Sequence, residues 1–229
     1  MAGRDQYTKL LLHMNGADAS TTFTDSELTP TKSVTAVGNA QIDTAQSKFG
    51  GACGLLDGSG DYLTVGDHAD WDFGTGDFTI DMWVRFNALG SDRAIIDVNN
   101  GETVGVWLKW TTSNVLRVKV ASTTRDFTWS PSTNTWYHVA VTRSGTNLRA
   151  FVGGTQIGTT LTDSGDITGG TVGVTIGAQN GGSNALNGWL DEVRISKGIA
   201  RWTANFTPPT SEYRTNMLPV VFFEEYNPG

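Results

Sequence analysis

Residues 136–154, WYHVAVTRSGTNLRAFVGG, and residues 187–209, NGWLDEVRISKGIARWTANFTPP, carry the reading of the fold. In the first stretch Trp136, His138 and Ala140 alternate with Tyr137, Val139 and Val141. A period of two places successive side chains on opposite faces of a strand. The run breaks at Ser144-Gly145-Thr146-Asn147 and resumes, so residues 136–154 read as two adjacent strands that reverse there. Residues 187–195 read as a final strand, closed by an aromatic, proline-bearing exit at Phe206-Thr207-Pro208-Pro209.

The same period extends outward. Residues 78–86 give the strongest strand, with Phe78, Ile80, Met82, Val84 and Phe86 on one face and Thr79, Asp81, Trp83 and Arg85 on the other. Further strands are expected at 9–15, 34–42, 53–58, 61–65, 94–98, 104–110, 115–120, 137–143, 148–152, 172–176 and 189–195. No stretch of about ten residues keeps a helical period, and neither an internal repeat nor a linker divides the chain. This count and spacing predict an all-β fold, a two-sheet antiparallel jelly-roll sandwich with a core about 10 Å thick. The sandwich is expected over residues 7–213, with an N-terminal arm at 1–6 and an apolar tail at 214–229.

Composition narrows the function classes. The chain has 229 residues, enough for one large β domain without disulfide staples. Its formal net charge is −7 and no Lys/Arg-rich segment exists to neutralise a phosphate backbone, which argues against nucleic acid as a partner. The apolar run 218–223 is far too short to span a bilayer, so membrane insertion is not expected. Cys53 is the single cysteine, which excludes an internal disulfide and a multi-thiolate zinc site; it reads as a small buried hydrophobe. The opening MAGRDQYTKLLLHMNG shows no secretory signal pattern.

Five segments in order, Leu56-Asp57-Gly58-Ser59-Gly60-Asp61-Tyr62-Leu63, Phe78-Thr79-Ile80-Asp81-Met82-Trp83, Trp136-Tyr137-His138-Val139-Ala140, Ile176-Gly177 and Leu190-Asp191-Glu192-Val193-Arg194-Ile195, resemble the laminin-G-like branch of the concanavalin A-like jelly rolls. The likeness covers roughly residues 8–210. Modules with the Leu10-Leu11-Leu12-His13 opening and the Ala200-Arg201-Trp202 to Pro209 closure resemble those of phage tail, fibre and other virion proteins. Together with the missing signal pattern, the resemblance implies a virion component made in the host cytoplasm and released by lysis. It also implies loops that often bind glycans or proteins, and often one structural Ca²⁺ near the sheet edge. By that resemblance Asp25, after the first strand, and Asp191, in the closing strand, are the best-placed calcium ligands, with Asp18 and Asp57 as seconds. Their residue types allow another reading, in which Asp18 and Asp25 organise turns and Asp57 serves its Asp-Gly turn. The six aspartates between 57 and 77 read as solvated turns.

Of the eight tryptophans, Trp110 and Trp129 sit at strand ends beside polar loops and are candidate stacking platforms for a glycan, or else partly buried loop aromatics. Trp83, Trp136 and Trp189 lie inside the strand motifs and read as core. A retaining hydrolase of this fold would carry Glu-x-Asp-x-Glu on one strand face, and no such spacing exists. Asp191 and Glu192 are adjacent and are expected on opposite faces, Asp81 lacks an acid two residues away, and His13, His68 and His138 show no metal spacing. No enzymatic role is expected. In the tail, Met217, Leu218, Val220, Val221, Phe222 and Phe223 fall within seven positions and are read as a docking segment, for another subunit or virion protein or back onto the domain. The expectation is therefore a non-catalytic, oligomeric phage virion structural protein with a glycan-binding surface. A receptor-recognition carbohydrate module is the alternative, and a glycan hydrolase the third reading.

Overall fold

The computed structural model of the chain describes residues 5–27 and 31–214. The proposed docking residues Met217, Leu218, Val220, Val221, Phe222 and Phe223 lie outside that range. In chain order the strands are β1 (Thr8–Leu12), β2 (Val34–Val37), β3 (Gln41–Asp43), β4 (Cys53–Asp57), β5 (Tyr62–Val65), β6 (Phe78–Phe86), β7 (Arg93–Val98) and β8 (Val106–Thr111). They continue as β9 (Val115–Val120), β10 (Thr123–Thr128), β11 (Trp136–Ser144), β12 (Asn147–Val152), β13 (Thr155–Thr162), β14 (Val174–Ile176) and β15 (Asn187–Lys197). A single 3-10 turn, Ala69–Trp71, interrupts the β structure among the described residues, and no helix there is long and apolar enough to cross a membrane.

Two antiparallel sheets form the expected jelly-roll sandwich. The larger has eight strands in the order β13-β12-β11-β6-β15-β4-β3, with β1 also paired to β15. The smaller has seven, in the order β10-β9-β8-β7-β14-β5-β2. At eleven residues β15 is long enough for two short strands to share one edge: Asn187–Leu190 pairs with β4, and residues 193–196 pair with β1. The facing surfaces supply one core, in which Ile80, Met82, Val84 and Phe86 of β6 meet Ile96, Leu108, Val118 and Ile176 of the smaller sheet. The β11–β12 reversal occurs where expected, and Gly145 adopts φ +56° there, a left-handed backbone that glycine takes without penalty.

Three strand expectations are corrected. Residues 34–42 are two strands, β2 in the smaller sheet and β3 in the larger, split at Gly38 with φ +68°. Residues 61–65 do not extend the strand before them, because the chain changes sheets between β4 and β5. Strands β10 and β13 were not expected at all. Their sequences, TTRDFT and TQIGTTLT, are polar and mostly exposed, because each strand lies at the edge of its sheet with little to bury.

Candidate glycan-binding face

The outer face of the larger sheet positions the candidate site. β6 is buried along nearly its whole length, its outward residues Thr79, Asp81 and Trp83 included, so something covers that side. Two segments do so. Residues 199–213 lie over one end: Thr79 Oγ1 donates to Ile199 O at 3.0 Å, Thr142 Oγ1 to Trp202 O at 2.9 Å, and Phe206 N to Gly154 O at 2.8 Å. Trp202 and Phe206 stack at 4.0 Å and meet His138 edge-on. Near the middle, Phe49 packs edge-on against Trp83 at 5.8 Å, with Lys48 Nζ 4.1 Å from the Trp83 ring.

Beneath the C-terminal segment lies a buried polar cluster. Arg194 Nε and Nη2 donate to Asp81 Oδ1 and Oδ2 at 3.0 and 3.2 Å, and Tyr213 Oη donates to Asp81 Oδ2. The Arg194 guanidinium sits 3.8 Å from the Tyr213 ring centroid. Burial alone would raise the Asp81 pKa, but Arg194 and His138 beside it more than offset that and hold the carboxyl well below the usual range. This cluster fastens the C-terminal segment to the sheet and leaves no free carboxylate.

At its other end the outer face is uncovered. Cross-strand pairing places Trp136, Arg85, Trp189, Leu55 and Gln41 in one row across β11, β6, β15, β4 and β3. All five are half-buried. The two tryptophans stand two strand spacings apart, about 10 Å. Between them the Arg85 guanidinium lies 4.5 Å from the Trp189 ring, and its Nη1 finds no hydrogen-bond partner among the described residues. Trp189 Nε1 donates to Asp43 Oδ2 at 2.6 Å, which fixes the indole. Two partly exposed indoles beside a guanidinium, a carboxylate and an amide offer apolar surface for sugar C–H groups and polar groups for hydroxyls.

This row corrects the tryptophan expectations. Trp110 and Trp129 are core residues, 3% and 7% exposed, packed against Phe86 at 6.1 and 5.7 Å, so neither is a platform. Trp110 Nε1 is satisfied inside the protein by Trp129 O at 3.3 Å. Trp83 is core as expected, whereas Trp136 and Trp189 are not fully enclosed. The core expectation for Trp136 and Trp189 is corrected by strand pairing, which puts both in the outer-face row with Arg85. Only the placement of the covering segments shows that they stay uncovered.

The four calcium candidates serve the main chain. Asp25 Oδ1 accepts from Leu11 N and Glu27 N, and its Oδ2 from Lys32 N. Asp18 Oδ1 accepts from Thr44 N at 3.1 Å, and Asp57 Oδ1 from Ser59 N at 2.7 Å. Asp191 Oδ2 accepts from Lys48 N and Phe49 N; burial pushes its carboxyl up to about 7 even so. Among the described residues, no three of these carboxylates gather at metal-binding distance; the group that does is His13, Glu192 and Glu212. Sequence spacing missed it because its members lie on three distant segments, and because β15 carries a bulge. Its register against β6 shifts between Asp191 and Arg194, and Glu192 takes φ +52°. Asp191 and Glu192 consequently both bond to elements over the outer face, correcting the opposite-face expectation.

A family model, Laminin_G_3, described as the concanavalin A-like lectin/glucanases superfamily, matches residues 57–201. Among solved structures, domain 4 of AbnA, a GH43 extracellular arabinanase from Geobacillus stearothermophilus in complex with arabinotriose, is 17% identical with a TM-score of 0.65, covering 87% of this chain and 95% of that one. Botulinum neurotoxin type C, whose cell entry depends on interaction with two ganglioside molecules, is 18% identical with a TM-score of 0.60, covering 84% of this chain and 49% of that one. The binding domain of Paraclostridial Mosquitocidal Protein 1 is 18% identical with a TM-score of 0.63, covering 84% and 49%. This chain thus spans about half the length of the toxin chains it matches. A search of curated protein sequences gives no match.

Proposed function

We propose that this chain, which belongs to the concanavalin A-like lectin/glucanases superfamily through its Laminin_G_3 region, is a non-catalytic carbohydrate-binding module of a phage particle. The observation that carries the reading is the partly exposed Trp136–Arg85–Trp189 row on a sheet face that is otherwise covered at Asp81 and Trp83. Similar folds in which a glycan partner is named, the arabinotriose complex and the ganglioside-dependent toxin, support it. Asp81 is held by Arg194 and Tyr213, and Glu192 by His13 and the Tyr213 amide, which favours binding over hydrolysis. The virion setting rests on the phage-like opening at 10–13 and closure at 200–209. There the tail after Tyr213 would dock on a neighbouring virion protein or subunit.

The test is cosedimentation with host-type bacterial envelopes and affinity electrophoresis in their polysaccharides, comparing wild type with Trp136→Ala, Trp189→Ala and the double variant. Binding lost in the double variant, with an unchanged melting temperature, is the expected result. Full binding by the double variant would remove the row as the site. Absence of binding by folded wild-type protein would favour a decoration or adaptor role carried by residues 214–229.

A further inference from the structure

Away from the tryptophan row, three distant parts of the chain bring nitrogen and oxygen donors together at the edge of one pocket, which His13 and Glu212 line. His13 follows β1 directly, Glu192 occupies the bulge of β15, and Glu212 lies on the C-terminal segment. His13 Nδ1 stands 2.5 Å from Glu192 Oε1, and Glu192 Oε2 accepts from Tyr213 N at 2.6 Å. Glu212 Oε1 accepts from Asn15 Nδ2 at 2.5 Å. One donor atom from each of His13, Glu192 and Glu212 lies within 4.8 Å of the others. The pocket, ≈ 690 Å³, is lined by His13, Asn15, Phe49, Glu212, Tyr213 and Arg214, among others.

Two further features mark this pocket as more than an acidic cluster. His13 Nε2 is buried without a hydrogen-bond partner among the described residues, although the His13 side chain is only 11% exposed. The desolvated imidazole thus has Glu192 as its one hydrogen-bond partner among the described residues, through Nδ1, and a cation shared with Glu212 would add to that single interaction. Second, Gly50 passes so close to Glu212 Oε1 and Asn15 Oδ1 that a Cβ there would collide with both, so both oxygens lie directly against the same stretch of backbone. Glu192, 1% exposed, and Glu212 are faced by one imidazole, with Arg214 exposed at the rim.

We propose that His13, Glu192 and Glu212 form a binding site for a divalent transition metal of the Zn²⁺ or Mn²⁺ class, with Asn15 Oδ1 as an additional oxygen donor. Imidazole nitrogen with two carboxylates suits such ions, whereas Ca²⁺ takes six to eight oxygens. Donors at about 2.0–2.2 Å from one tetrahedral ion stand about 3.4 Å apart. The His13–Glu192 contact therefore opens and the wider separations close, each by about an ångström. Since His13, Glu192 and Glu212 come from the end of β1, from β15 and from the C-terminal segment, the ion would staple that segment to the sheet just before the tail.

The experiment uses the untagged full chain, freed of metal with chelator, in calorimetric titration and thermal melts with Zn²⁺, Mn²⁺ or Ca²⁺. One equivalent of Zn²⁺ or Mn²⁺ is expected to bind, raise the melting temperature and slow proteolysis in residues 199–214. Glu212→Gln, at a half-buried position where the fold is least at risk, is expected to weaken binding at least about tenfold. His13→Gln should abolish it. Absence of binding by all three ions would overturn the site, as would affinity unchanged in Glu212→Gln. Stoichiometric Ca²⁺ binding in preference to Zn²⁺ and Mn²⁺ would overturn the assignment of His13 as a ligand.

Discussion

At Asp81 a fully buried carboxylate receives two hydrogen bonds from Arg194 and one from Tyr213. Removing one member of such a pair leaves the other charge buried and uncompensated. Asp81→Asn is expected to cost about 3–5 kcal/mol in denaturant unfolding; a loss below about 1 kcal/mol would mean the cluster is relaxed by water. The tryptophans divide by the same logic. Trp129→Ala empties core space and is expected to cost about 3–5 kcal/mol without any specific effect on ligand binding. Trp136→Ala, at a half-buried position, should cost less stability and reduce glycan binding. Equal destabilisation by both changes would contradict the assignment of Trp136 to an open face. Residue type alone could not separate the two, since a tryptophan beside a polar loop and one within a strand motif are both compatible with burial.

Among the elements, β15 does the most positioning. It joins β6 to both β4 and β1, and its bulge turns Glu192 toward His13 and the Tyr213 amide. A left-handed backbone at a non-glycine residue costs about 1–2 kcal/mol. In metal-free protein both Glu192→Ala and Glu192→Gly lose the carboxylate bonds, but glycine also relieves the backbone. Glu192→Gly is accordingly expected to be more stable than Glu192→Ala by about 1 kcal/mol in denaturant unfolding. The reverse order would show that the φ of +52° is not costly in its setting. β15 was legible as a strand from its alternation, but its bulge was not, because the extra residue shows only against the register of β6. β6 and β9 were read to their ends for the opposite reason: apolar alternation stays unbroken through Phe78–Phe86 and Val115–Val120.

Across the whole molecule, the C-terminal segment and the larger sheet are joined through charge. Because the Asp81 carboxyl is held below its ordinary value of 3.8, its contribution to stability is complete above that value. The contribution is lost as pH falls through the lower folded-state value. Wild type should therefore lose stability steeply below about pH 4, and Asp81→Asn should flatten that limb of a melting-temperature profile; parallel profiles would place the acid sensitivity elsewhere. A period of two and local turn chemistry were enough for the all-β class, the two-sheet sandwich and the hairpin at 144–147, but they read Trp136 and Trp189 as core. Tertiary structure alone decided which outward residues are covered and which donors meet. Residues 199–213 and Phe49 bury Asp81 and Trp83 but leave Trp136, Arg85 and Trp189 partly exposed. His13, Glu192 and Glu212 converge only through strand pairing and chain return over sequence distances that no local pattern records.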